Sequence, residues 1–403
     1  MRGMFLGLFL LFAGVCQAEF PIIVENAMPK NPAVATGYNQ SAWNLYRQLS
    51  VAGGNVLVSP YSIGMAMSMA LSGAKGDTKL QMQQVLHLSM NDEELHQGSQ
   101  KLLRDMGRFA SDPSVEMTVA NALFINPDFE LVSPEFVSLL SQGYEAEIFR
   151  EQNLDLINAW VNQKTKTRIP KILDRLHQNS VAVILNAVYF KSNWAVQFDK
   201  EMTEPLDFFV NQDEVVQVPM MQRTDHYSLV YRDSYQALRM PYVSDDLSMV
   251  VILPMDKTGL TAFEESFNPY ALQEILQELR DTQPSKVKVG IPRFRVEYSA
   301  ALVEPYQNMG MKDAFSSSDA DFGGITGQEN AKGLIWIDQI QHKTFLEVNE
   351  EGSEAAAATA VAFATRSMAM TPEFIADRPF LYLIEDRGTG MILFMGRMAN
   401  PLE

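Results

Sequence analysis

The sequence predicts an α+β domain, and three observations carry that class. Segments of helical period fill the first third of the chain, strand-like runs dominate from Val181 onward, and no βαβ alternation or internal repeat links the two regions. The helical segments come first. Ser59-Pro60 opens a small, apolar helix over Ile63 to Ala74. Asn91 to Met106 mixes charges with leucines as a surface helix does, and Leu154 to Thr167 (LDLINAWVNQKTKT) repeats the amphipathic spacing. The strand-like runs are VAVILNAVYF from Val181, LSMVVILP over Leu247 to Pro254, and KVKVGIPRFRV over Lys286 to Val296. A last β-rich stretch, Phe380 to Ile384 and Met391 to Met395, lies between turn residues.

Composition narrows the classes of function. The chain has 403 residues, 47% hydrophobic and 20% charged, too apolar for a disordered protein. Lys and Arg total 32 against 49 Asp and Glu, a net charge of −17, so neither nucleic acid nor an anionic membrane is an expected partner. The basic run Lys164, Lys166, Arg168 and Lys171 reads as a solvated helix end on an acidic protein. The single cysteine, Cys16, rules out an intramolecular disulfide and any zinc site needing two thiolates. The five histidines (His87, His96, His177, His226, His342) never fall at metal-ligand spacing, and no metal or cofactor is expected. There is no G-x-S-x-G elbow, H-E-x-x-H pair, Walker loop or G-x-G-x-x-G turn, so the chain does not read as an enzyme. Its many carboxylates leave an acid–base pair open only at the background rate.

The first residues have the grammar of a secretory leader. Arg2 precedes an apolar run, Phe5 to Val15, and Cys16-Gln17-Ala18 puts small residues before a cut at Glu19. The run is shorter than the ~20 residues of a membrane span. Residues 1–18 are therefore expected to be a signal peptide, 19–403 a single domain, and the product extracellular. Asn39-Gln40-Ser41 is a glycosylation candidate if that asparagine is exposed.

The passage from Glu350 to Ser367 does not fit an ordinary domain. It runs Glu350, Glu351, Gly352, Ser353, Glu354, Ala355, Ala356, Ala357, Ala358, Thr359, then AVAFATRS, with no charge between Glu354 and Arg366. An alanine-rich helix or linker is one reading. At period two, Ser353, Ala355, Ala357, Thr359, Val361 and Phe363 share one face, so the segment is also compatible with entry into an existing sheet.

This passage resembles the hinge and reactive-centre loop of the serpins, a family of protease inhibitors, and other motifs follow in the family's order. They are NVLVSPYS from Asn55, GAKGDT from Gly73, NAVYFKSNW from Asn186 with Phe198, and Leu238 to Tyr242 with Leu247 to Pro254. IPRF from Ile291, ADFGGI from Ala320, His342-Lys343 before FLEVNE, and the closing DRPF and FMGRMANP continue the series, which spans roughly residues 40 to 401. Ile169-Pro170, at a usual polar turn, and Arg378, at a common histidine, depart from the pattern.

The resemblance implies the serpin fold, with three β-sheets, eight or nine helices and a loop (about 350–372) exposed above a large, mostly parallel sheet. Counting seventeen residues from Glu350 ends at Arg366, which implies a reactive bond at Arg366-Ser367. An arginine there suits trypsin-like serine proteases. The implied product is a suicide-substrate inhibitor whose segment 353–365 enters the large sheet after cleavage. The small residues from Ala355 to Ala360 favour that over the alternative, a non-inhibitory serpin acting as carrier or chaperone. Ser59, Ser62, Asn186 and His342 resemble the network that keeps the sheet closed, and Trp194 resembles the residue packed where the loop first enters. A monomer is expected. Heparin activation is not, because Asn91 to Met106 carries only Lys101 and Arg104 as Lys or Arg.

Overall fold

The computed structural model describes residues 33–403 except 113, 129, 177–179, 245 and 353–370. Helices dominate the first part of the chain. α1 (Ala33–Ser50) leads to a short strand β1 (Val56–Val58), then α2 (Pro60–Leu71), α3 (Gly76–Val85) and α4 (Asp92–Gly107). The Ser59-Pro60 start holds: the Ser62 amide donates to Ser59 Oγ (3.2 Å), and Pro60 occupies the first turn, where no donor is needed. α4 opens on a reciprocal cap between Asn91 and Glu94.

Then come β2 (Val115–Ile125), α5 (Pro134–Gly143), β3 (Glu147–Phe149), α6 (Leu154–Lys164) and β4 (Ala182–Ser192). α6 ends earlier than its amphipathic spacing suggests. Thr165 Oγ1 turns back to the Val161 carbonyl, and Lys166 and Thr167 adopt positive φ.

The strand-rich part contains β5 (Thr203–Phe209), β6 (Val215–Tyr231), β7 (Tyr235–Pro241) and β8 (Leu247–Pro254). α7 (Leu260–Ser266) and α8 (Pro269–Asp281) follow, then β9 (Ser285–Pro292), β10 (Phe294–Ala301), α9 (Val303–Asn308) and α10 (Gly323–Thr326). The chain closes with β11 (Gln341–Val348), β12 (Glu373–Ile375), β13 (Phe380–Asp386) and β14 (Met391–Met398). The run KVKVGIPRFRV, which reads as one strand, is two. Pro292 has no amide hydrogen to continue the ladder, and after it the chain crosses from one sheet to another.

Nine strands form one sheet, ordered β1-β14-β13-β8-β7-β6-β9-β12 with β5 on β6. β8, β13 and β14 are buried at every position, which explains their continuous apolar runs. The sheet expected to be large and mostly parallel is instead two separate ladders, β3-β2-β4 and β10-β11, and among their pairings only β2 with β3 is parallel. Ten α-helices among the described residues exceed the eight or nine expected; α10 adds a single short turn.

Candidate functional site: a hinge turn beside two unjoined strands

β11 alternates buried and half-buried residues up to Val348, and there the chain reverses. The Asn349 amide donates to the Gly352 carbonyl (2.9 Å) and the Gly352 amide to the Asn349 carbonyl (3.2 Å). Gly352 has φ +132°, and a Cβ there would lie 2.4 Å from the Ser192 carbonyl oxygen and 2.5 Å from Asn193 Cα. Only glycine fits such a conformation against backbone. Gly352 bridges antiparallel to Asn193, directly beyond the end of β4.

The segment after β4 cradles this turn. The Trp194 amide donates to the Glu351 carbonyl (3.0 Å) and the Phe198 amide to the Glu350 carbonyl (2.8 Å). Trp194 stacks on Tyr242 with ring centroids 4.6 Å apart, and its Nε1 donates to the Asn349 carbonyl (2.9 Å). Both hinge glutamates are buried. Glu350 accepts from Thr203 Oγ1 (2.9 Å) and pairs with Arg293 (3.5 Å), while Glu351 pairs with Lys200.

Residues of β4 and of β11, which belong to different ladders, both line a cavity of about 560 Å³. Ser59, Ser62, Asn186 and His342 meet at this cavity. The Ser59 amide donates to His342 Nε2 (3.2 Å), and Ser59 Oγ donates to the Leu393 carbonyl (2.7 Å). Ser62 Oγ reaches the Asn186 carbonyl (3.5 Å). Asn186 Nδ2 donates to Asn121 Oδ1 (2.7 Å), and Asn121 Nδ2 donates to the Tyr144 carbonyl (2.6 Å). Asn186 Oδ1 has no partner among the described residues. One turn at the start of α2 thus touches both strands. Burial lowers the His342 pKa to about 4, so its imidazole is neutral and able to accept the Ser59 hydrogen.

Glu350, Glu351, Gly352, Trp194 and the four residues at the cavity are thereby located. Ser353, Glu354, Ala355, Ala356, Ala357, Ala358, Thr359, Arg366 and Ser367 lie outside the described residues. Lys200, Thr203, Arg293, Asn121 and Tyr144 join the site without having been singled out by sequence. Arg293 stood in the IPRF motif, a signal whose partner was not readable. The glycosylation candidate Asn39 is half-buried. It sits on α1, where its Nδ2 donates to the Gly390 carbonyl (2.8 Å) and its Oδ1 accepts from the Ile392 amide (3.0 Å).

A family profile described as "Serpin (serine protease inhibitor)" matches residues 36–401. Human Serpin B8 is 37% identical over 363 residues, covering 86% of this chain and 93% of that protein. Bovine leukocyte elastase inhibitor is 35% identical over 369 residues, with the same two coverages. Among solved structures, human thyroxine-binding globulin complexed with its hormone has a TM-score of 0.80 at 27% identity, covering 92% of this chain and 99% of that one. Cleaved Serpin 42Da has a TM-score of 0.79 at 28% identity, covering 92% and 98%.

These relatives overturn the expectation of export. Serpin B8, Serpin B6 and leukocyte elastase inhibitor are intracellular, clade B serpins. The apolar run Phe5 to Val15 that suggested a leader lies outside the described residues. Across most of its length and in its three-dimensional arrangement, this chain belongs to the serpin family.

Proposed function

We propose that the protein is a suicide-substrate inhibitor of trypsin-like serine proteases, cut at Arg366-Ser367. The nucleophile is the protease's serine. It attacks the Arg366 carbonyl, the bond to Ser367 nitrogen breaks, and Ser367 leaves as an amine while Arg366 stays esterified to the enzyme. Residues 353–365 then enter between β4 and β11 and carry the acylated protease with them. About 13 residues of strand span ~43 Å, enough to draw the enzyme well away from where it first bound. Each new backbone pair contributes ~1 kcal/mol net, so the inserted form lies far below the uncut one, which persists kinetically. Distortion of the protease's oxyanion hole stalls release of the ester.

The observation that carries this reading is the hinge turn at Asn349–Gly352, which reverses the chain beside two strands that share no ladder. Incubation with trypsin followed by a denaturing gel tests it. A covalent band at the summed mass supports inhibition, whereas clean cleavage without that band sinks it and favours the carrier reading.

A further inference from the structure

We propose that Lys200 is a positioning residue for loop insertion: by holding the Glu351 carboxylate it keeps the hinge in its turned form. It thereby sets how often a cut loop traps its protease instead of releasing it. The proposal rests on the inhibitory reading above and adds to it a residue outside the loop.

Lys200 opens a short 3-10 turn, Lys200–Met202, capped by Asp199, whose Oδ1 accepts from the Glu201 amide (2.9 Å). The two sides of the ion pair are unequal. The Lys200 side chain is 67% exposed, while that of Glu351 is 8% exposed. Glu351 Oε1 takes the ammonium, and Oε2 has no partner among the described residues. A buried carboxylate with one oxygen unmatched is costly to keep, and the cation offsets that cost. The carboxylate in turn raises the Lys200 pKa, so the ammonium persists throughout the neutral range.

The pair discriminates between two hinge states. In the turned form, Glu351 is fixed by its own carbonyl, held by the Trp194 amide, and by the neighbouring Glu350 carbonyl, held by the Phe198 amide. A hinge that continued in the direction of β11 would take Glu351 away from Lys200, which would remain solvated on its own turn. A contact present in one state and absent in the other shifts the balance between them by its full value. Lys200 makes no contact with Ser59, Ser62, Asn186 or His342, so its effect is separable from the cavity network.

The test compares wild type with Lys200→Ala, Lys200→Glu, Lys200→Arg and the swap Lys200→Glu/Glu351→Lys. The first readout is the number of inhibitor molecules consumed per trypsin trapped, set against the rate of the first cut. The second is hydrogen exchange at the Gly352 amide in the uncut chain, which needs no protease. Lys200→Ala and Lys200→Glu should raise the consumption ratio roughly two- to fivefold and speed exchange by a similar factor, leaving the first cut unchanged. Lys200→Arg should match wild type, and the swap should restore it. Unchanged exchange in Lys200→Ala, or a swap no better than Lys200→Glu alone, overturns the proposal. If the wild-type chain traps no protease, the inhibitory reading fails while the exchange measurement still decides the role of Lys200.

Discussion

Gly352→Ala is the most direct probe of the hinge. At φ +132° an alanine costs ~1–3 kcal/mol in backbone strain. Its Cβ would also sit 2.4 Å from the Ser192 oxygen and 2.7 Å from the Trp194 nitrogen, both backbone atoms that a rotamer change cannot move. Relieving the overlap means displacing the hinge from β4, which breaks the Trp194 N–H bond to the Glu351 carbonyl and loses about 1 kcal/mol. Together ~2–4 kcal/mol falls on the turned form alone, a shift of roughly 30- to 700-fold in its population at 1.4 kcal/mol per tenfold. The variant should be cut by trypsin at the wild-type rate and released, so titration of trypsin against inhibitor should show a many-fold rise in the amount consumed. The gel should show cleaved product in place of the covalent band. Trapping at wild-type stoichiometry would refute the reasoning, because the turn would then be dispensable for insertion.

Three further outcomes are expected. Trp194→Phe keeps the stack on Tyr242 but removes the donor to the Asn349 carbonyl, and should lower the urea midpoint by the equivalent of about 1 kcal/mol. His342 titrates at about 4 in the fold against an ordinary value near 6.5, so the unfolded chain binds its proton first as pH falls. Its contribution of ~3 kcal/mol is present above pH 6.5 and is lost progressively towards pH 4. His342→Gln should flatten that part of the stability profile; an identical slope in the two proteins would place the titration elsewhere. Arg366→Ala should abolish trapping of trypsin while leaving the unfolding midpoint within about 0.5 kcal/mol of wild type, and undiminished trypsin inhibition would put the reactive bond elsewhere.

Local signals in the sequence were accurate where the chain interacts with itself at short range. Ser59-Pro60 caps α2, and the helix expected from Asn91 is α4, because caps and helical spacing involve neighbours three or four residues apart. The separation of β4 from β11 was not legible. VAVILNAVYF announces a strand but says nothing about which of its edges finds a partner. The partners of the hinge glutamates were equally invisible, since Lys200 lies 151 positions from Glu351 and Thr203 lies 147 from Glu350. A lone surface lysine and a threonine beginning a strand have no distinguishing pattern. The partners of Asn39 were hidden for the same reason: the sequon is complete in three residues, but what holds its amide is more than 350 positions away.

The crossing at Arg293 ties both flanks of the loop to one short rod. Ile375, downstream of the loop, lies opposite Gly290 on β9, and Val348, upstream of it, lies opposite Phe294 on β10. Gly290 and Phe294 are four residues apart in the chain, a reach of at most ~14 Å. Severing the polypeptide between those flanks therefore leaves two stumps moored to a common post. The moorings cannot drift apart to relieve anything, so whatever distance opens between the new ends must come from travel by the released arm itself.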